Sequence, residues 1–433
     1  MEVFSWGTWL VIFVFCMGYF AIILEHVINV NKTAIALLIA ILCWSVDLVT
    51  THLPAAEHLK ALGHHVSDIS QIIFFLMGAM ALVELIDCHR GFKVITDRIQ
   101  TQSKRKMLWL VAFFSFFLSA ILDNLTTTIL MVSLLRKLVP ATKERFLLCC
   151  VVVIAANAGG AWTPIGDVTT TMLWINGQIS SLAVMKALFI PSLVSVLIPL
   201  AWYSRQTKGK LSSRSIDEKE TKEMPGARVV FILGIGGLVF VPIFKALTGL
   251  PPFMGVILAL AVLWCVTDLM HYPYKERVHL RVPHVLTRVD TSGILFFLGI
   301  LLCVSALQTA GVLQVIADGM NAAIPSKAVI ATLLGFFSAI VDNVPLVAAT
   351  MGMYPLQSYP IDSSLWHMIA YAAGTGGSML IIGSSSGVAL MGMEKVDFIG
   401  YMKKATIPVA FGYLGGMGTY VLLESVLKSF PGS

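Results

Sequence analysis

Two short segments at matching places in the two halves of this 433-residue chain carry polar groups that could do chemistry. They are Ser119-Ala120-Ile121-Leu122-Asp123-Asn124 and Ser338-Ala339-Ile340-Val341-Asp342-Asn343. Each sets an Asp-Asn pair in an apolar stretch, and further on each half has a glycine doublet, Gly159-Gly160 and Gly376-Gly377, followed at the same interval by Gly166 and Gly383. Around the first pair stand Thr126-Thr127-Thr128, then Asn157-Ala158-Gly159-Gly160-Ala161-Trp162-Thr163-Pro164-Ile165-Gly166-Asp167. Around the second stand Val344-Pro345, then Gly374-Thr375-Gly376-Gly377-Ser378 and Gly383-Ser384-Ser385-Ser386-Gly387. The polar atoms offered are nearly all oxygens: carboxylate, amide, hydroxyl and the backbone carbonyls that proline and glycine free by breaking a helix. That set suits a hard monovalent cation such as sodium.

An ionised carboxylate deep in a bilayer is costly, so an acid there is neutralised by a proton or paired with a cation. Competition of the two ions for Asp123, Asp167 or Asp342 would make an antiporter. A buried Asp can also simply cap a helix start; recurrence of the pair in both halves favours the ion site. No acid stands at the place of Asp167 in the second half, where Ser384 to Ser386 occur, so the halves differ chemically.

The elements that position these groups follow from composition. With 57% apolar and 12% charged residues, the chain has too little polar surface for a soluble globule of its size. Apolar runs long enough to span a bilayer as helices cover Trp6 to Leu24, Thr33 to Leu53, Ile69 to Cys88, Leu182 to Tyr203, Val229 to Leu247, Pro252 to Met270, Gly293 to Ile316 and Ala405 to Leu427. The first run follows Glu2 without a basic stretch or cleavage pattern and reads as a retained span, not a signal peptide. The seven cysteines show no metal-ligand spacing.

Basic residues fix the expected topology. With the amino terminus outside and the stretches 108–135 and 329–353 entering and leaving by the same face, only Lys60, Lys186, Lys245, Lys327 and Lys428 fall in outer loops, leaving 25 of the 30 lysines and arginines inside. Making the first hairpin a full crossing would move the basic loop near Lys143 and the long one near Lys210 outside. The expectation is therefore an all-α polytopic membrane protein with ten crossings, two re-entrant hairpins and both termini external.

Sliding the second half back by roughly 220 positions aligns Asp47 with Asp268, Asp68 with Asp290, Gly91-Val94-Ile95 with Gly311-Val315-Ile316, and the two Asp-Asn pairs. Five crossings per half, an odd number, make this two inverted-topology repeats. The first repeat covers 1–204 with hairpin 108–135 and broken helix 146–176; a polar cytoplasmic linker covers 205–228; the second repeat covers 229–433 with hairpin 329–353 and broken helix 365–392. Such repeats place substrate and ion sites at broken helices near the midplane. Outside them, Asp47 and Asp268 read as structural, Glu84 and Asp87 as solvated or ion-paired at the inner membrane edge, and Trp162 as either lining the site or packing.

Ser119 to Thr128, Gly159 to Thr171, Asp290 to Gly299, Ser338 to Thr350 and Tyr371 to Gly387 resemble the NhaD-type sodium:proton antiporters of the ion transporter superfamily, over nearly the whole chain. The resemblance implies a scaffold and a transport domain, a homodimer, and efflux of sodium or lithium against protons across a bacterial inner membrane, with no cofactor and no enzymatic step. Carried over by position, it implies proton and cation binding at Asp123, Asp167 and Asp342. It implies cation coordination by Asn124, Thr126, Asn157, Thr163, Asn343, Thr375, Ser384 and Ser385. Dicarboxylate carriers of the superfamily have a Ser-Asn-Thr pattern at the hairpin tips, where this chain has Asp-Asn.

Three rivals remain to be weighed. A sodium-coupled anion symporter would bring a carboxylate to buried carboxylates, with no intramembrane lysine or arginine to offset them. An intramembrane aspartyl protease would use Gly166-Asp167, but Pro164 stands where its signature wants glycine; zinc proteolysis lacks a His-Glu-x-x-His. A passive channel stays compatible with these residues, but inverted halves with one central site fit alternating access better.

Overall fold

The computed structural model describes residues 4–51, 54–93, 99, 101–139, 141–211 and 224–429. Glu2, the Val94-Ile95 match and linker residues 212–223 lie outside the described residues. Among the described residues every regular element is helical, beside one isolated antiparallel bridge between Ser103 and Lys210. Among the described residues eight helices are long and apolar enough to cross a membrane, and each overlaps one of the eight apolar runs of the sequence. The chain is a multi-pass membrane protein.

The long helices are α1 (Trp6–Ile23), α2 (Lys32–Thr50) and α3 (Ala55–Cys88), then α8 (Ser181–Gln206), α9 (Ala227–Thr248), α10 (Pro252–His271), α11 (Thr291–Thr309) and α17 (Ile407–Ser429). Shorter ones lie between: α4 (Lys104–Ser119), α5 (Asn124–Leu138), α6 (Thr142–Gly160), α7 (Val168–Ile175), α12 (Val312–Ala323), α13 (Lys327–Ser338), α14 (Asn343–Met353), α15 (Ser364–Gly376) and α16 (Ser385–Glu394). A π turn at Met402–Thr406 joins α17 to the short helix Phe398–Tyr401.

Three details differ from the sequence reading. The Ile69 to Cys88 run is the second part of a 34-residue helix, about 51 Å long at 1.5 Å per residue and so longer than the hydrocarbon core. The Gly293 to Ile316 run breaks after Thr309, because Gly311 takes a left-handed conformation (φ 74°) and starts α12. Lys60, Lys186, Lys245, Lys327 and Lys428 all lie within helices rather than in loops.

The helices pack in two groups. In one, α2 lies along α1 and α11, α3 along α10 and α11, and α9 along α10. In the other, α6 lies along α4 and α5, α15 along α13, and two pairs join residues far apart in the chain: α8 with α17, and α5 with α16. Contact between the groups runs mainly through α11 against α14 and α3 against α7, with α12 packed on both α11 and α14.

Ties at both ends hold the second group together. Glu394, at the end of α16 and almost fully buried, receives the Arg136 guanidinium at 2.6 Å and that of Arg145 at 2.8 Å. At the other end the Asp362 carboxylate accepts the Ser180 amide at 2.6 Å, and the Asp362 amide donates to the Gln178 carbonyl at 2.9 Å.

Candidate ion site

Four helices of the second group begin inside it, and each begins on a capping side chain. Asp123 caps α5, Asp167 caps α7, Asp342 caps α14 and Ser384 caps α16. Helix N-termini carry unpaired amides and a partial positive charge, so the capping role weighed for a buried Asp is real here. It accounts for only part of each side chain's bonding.

The breaks follow from Pro164 and from glycines that no other residue could replace. A Cβ on Gly160 would lie 2.2 Å from the Gly166 carbonyl oxygen, and one on Gly159 would lie 2.1 Å from that of Phe116. In the second half a Cβ on Gly377 would lie 2.5 Å from the Gly383 oxygen, and one on Gly376 would lie 2.3 Å from that of Gly335. The hairpin serines also bond alike: Ser119 Oγ donates to the Ala156 carbonyl at 2.6 Å and Ser338 Oγ to the Ala373 carbonyl at 3.0 Å.

A chain of hydrogen bonds crosses the centre. Asn124 Nδ2 donates to Asp167 Oδ2 at 2.8 Å and to Asn157 Oδ1 at 3.1 Å. Asn157 Nδ2 donates to Ser378 Oγ at 2.9 Å and to Ser384 Oγ at 2.8 Å. Asn157 is 0% exposed, and Asn124 and Asp167 are each 2% exposed. The chain thus joins the first hairpin, both broken segments and both halves of the sequence. Asn124 donates both amide hydrogens, and its carbonyl oxygen is buried without a donor. The hydroxyls of Thr127, Thr128 and Ser386 are likewise buried without partners. Orphaned acceptors of this kind call for a proton donor or a cation.

The carboxylates differ in setting. Asp167 Oδ1 accepts the Thr169 amide at 2.9 Å and its hydroxyl at 3.0 Å, which leaves Oδ2 to Asn124. Asp123 Oδ1 accepts the Thr126 amide at 2.7 Å and Oδ2 the Thr126 hydroxyl at 2.8 Å. Its φ of 138° is a left-handed conformation that costs a non-glycine residue energy, and the two Thr126 bonds hold it there. Asp342 has an ordinary φ of −51° and bonds the Val344 amide at a long 3.4 Å.

The other candidates divide. Asn343 Oδ1 lies 2.7 Å from Ser338 Oγ, which shares its single proton between this oxygen and the Ala373 carbonyl, so the amide is engaged by the hairpin itself. Thr163 Oγ1 donates to the Ala120 carbonyl at 2.7 Å and pins the break to the hairpin tip. Thr375 Oγ1 turns back onto the Tyr371 carbonyl of its own helix. Ser385 opens α16, half-buried. Ser378, Thr169 and Ser386 were not singled out as ligands from the sequence, although Ser378 and Ser386 stand in its Gly/Ser segments. Trp162 packs, stacking on Phe116 at 6.0 Å and meeting Phe189 edge-on at 4.9 Å.

Lys32, the first residue of α2, places its ammonium 4.7 Å from the centroid of the Phe296 ring. Asp268 accepts from the Trp264 indole at 3.1 Å and lies 3.6 Å from Arg281, and Asp47 lies 3.3 Å from buried His58. Both acids have structural partners away from the site. Among the described residues no group of three or more His, Cys, Asp or Glu side chains could hold a metal ion.

Comparison with known proteins adds the following. A family model described as citrate transporter (CitMHS) matches residues 19–369. The chain is 53% identical to sodium/proton antiporter 1 of Arabidopsis thaliana, over 96% of this chain and 73% of the relative. It is 49% identical to sodium/proton antiporter 2 of the same plant, over 95% and 98%. It is 31% identical to the Na(+)/H(+) antiporter NhaD of Alkalimonas amylolytica, over 96% and 90%.

Proposed function

Since the chain belongs to the CitMHS citrate-transporter family and within it groups with the sodium/proton antiporters of the NhaD type, we propose that it exchanges sodium or lithium for protons. In this reading cytoplasmic sodium leaves as external protons enter, by alternating access, and Asp123, Asp167 and Asp342 carry either ion. The observation that supports it most is the buried Asn124 carbonyl, left without a donor beside a carboxylate in a site made almost wholly of oxygens. A bare cation fills that vacancy in bonding; so does a proton placed on the neighbouring carboxylate and shared among the same oxygens. A single carboxylate cannot hold both, because a protonated acid beside a bare cation leaves an uncompensated positive charge.

The recurring glycine contacts and serine bonds support two inverted repeats, each with five crossings, a re-entrant hairpin and a broken helix. The repeats are 1–204 and 229–433, joined by the linker 205–228. We assign the hairpins and broken helices, α4–α7 and α13–α16, to the transport domain and α1–α3 with α9–α11 to the scaffold, a division that the two packing groups support. We further propose a homodimer with both termini external. The bacterial NhaD relative supports a bacterial inner membrane; what the mechanism itself requires is a membrane carrying an inward proton gradient.

The family description names citrate, which keeps sodium-coupled anion uptake as the competing reading. Three carboxylates and four capped helix starts leave little unpaired positive charge for an anion to meet.

Both readings are separated in proteoliposomes loaded with acid and a pH-sensitive dye. External sodium or lithium raises the lumenal pH with the wild-type protein, and neither does so with Asp167→Asn or Asp342→Asn. Asparagine caps a helix about as well as aspartate, so both variants fold. Exchange retained in both variants overturns the site; sodium-driven uptake of labelled citrate without any proton exchange overturns the function.

A further inference from the structure

We propose that Lys245 is a positioning residue, a catch that holds helix α7, and through it Asp167, against the other group of helices in the conformation of this structure. The inference rests on the exchange reading, because only relative movement of the two groups makes such a catch matter.

Lys245 lies in the last turn of α9, half-buried. Its ammonium donates to the carbonyl oxygen of Trp174 at 2.9 Å and sits 4.6 Å from the centroid of the Trp174 ring. Trp174 is buried in the final turn of α7 and meets Phe75 of α3 edge-on at 6.4 Å. The carbonyls that end a helix carry its partial negative charge, and a cation there is stabilising. A lysine near the end of a membrane span can snorkel to the interface, yet this one turns its ammonium onto Trp174. The ammonium therefore holds the far end of a helix of eight residues whose other end is the Asp167 cap. A helix that short moves as one piece.

The contact joins the two packing groups, since α9 belongs to the first and α7 to the second. It is also one-sided. At the offset of 221 that places Asp268 on Asp47 (268 − 47 = 221), Lys245 falls on Leu24, so the first repeat offers no cation in the equivalent place. In a molecule built from two similar halves, a tie present in only one of them favours one conformation over the other.

Lys245→Met removes charge and donor at nearly constant length, Lys245→Arg keeps both, and Lys245→Gln keeps a donor without the charge. Each is made in the full-length chain and read in two ways. In purified protein, hydrogen exchange over residues 168–179 is expected to quicken about tenfold with Met, the scale of a lost charged hydrogen bond, and to stay at the wild-type level with Arg. In vesicles of defined orientation, Met raises the sodium KM on one face of the membrane and lowers it on the other, whereas a purely structural defect lowers rate on both. Gln falls between Met and Arg and decides the matter if Met does not fold. Unchanged protection with Met, or a KM that moves the same way on both faces, overturns the proposal. If the wild-type protein exchanges no cation, the functional reading fails, and hydrogen exchange still decides whether Lys245 holds α7.

Discussion

Replacing Asn157 by alanine tests whether the central hydrogen-bond chain works as a unit. Asn157 accepts one bond, from Asn124, and donates two, to Ser378 and Ser384. At about 1 kcal/mol of net contribution for each buried bond, the variant loses ~3 kcal/mol, roughly a hundredfold in any equilibrium that depends on the assembled site. Ser378→Ala removes one of the three bonds and is expected to cost about 1 kcal/mol alone. In the Asn157→Ala background it should cost almost nothing, because its partner is already gone. The coupling measured by the double-mutant cycle is then close to 1 kcal/mol. The assay is sodium-driven alkalinisation of proteoliposomes over a range of sodium concentrations, with unfolding in mixed micelles measured in parallel. Sodium dependence of Asn157→Ala within about twofold of wild type, or strictly additive effects of the two substitutions, would refute the idea that this chain assembles the site.

Other substitutions probe the frame around the site. Gly160→Ala drives a methyl group to 2.2 Å from the Gly166 oxygen, and the backbone shift it forces should cost about 1–3 kcal/mol and abolish exchange; normal exchange would show that the break is pliable. Glu394→Ala leaves Arg136 and Arg145 facing each other without their shared carboxylate. Because Arg136 is half-exposed, the loss is expected at about 2–4 kcal/mol, below the full figure for a buried pair, and unfolding in denaturant reads it. His89 follows the last residue of α3, beyond the apolar span. Burial lowers its imidazole pKa from the ordinary value, opposed by its bond to the Leu85 carbonyl. The fold therefore holds His89 neutral, while the unfolded chain takes up the proton more readily. Its contribution to stability is full above about pH 6.5 and is lost as the pH falls from there. The unfolding midpoint of the wild type should drop between neutral and mildly acid pH more than that of His89→Gln; equal drops would remove His89 as the cause.

The elements were legible in the sequence because a bilayer demands length and apolarity that few other environments do. Among the described residues each of the eight long apolar helices overlaps a hydropathy run. The breaks were legible for a local reason as well: Pro164 and the doublets Gly159-Gly160 and Gly376-Gly377 state where a helix cannot continue or where two backbones must approach. Oxygen-rich chemistry followed from residue types alone.

Partnership was decided only in three dimensions. Nothing in the spacing of Asn157 and Ser378 says that they bond, because they are 221 positions apart (378 − 157 = 221) and meet only when both broken segments face one centre. The same holds for Glu394 with Arg136 and Arg145, and for Lys245, which reads as a loop cation and instead ends a helix that carries none of its own. Asp123 and Asp342 are twins in sequence, yet one holds a strained backbone against Thr126 and the other has an ordinary φ and a long bond to the Val344 amide. Composition and periodicity act along the chain, so they determine where helices form and stop; which side chain satisfies which depends on packing between segments distant in sequence, and no local pattern encodes it.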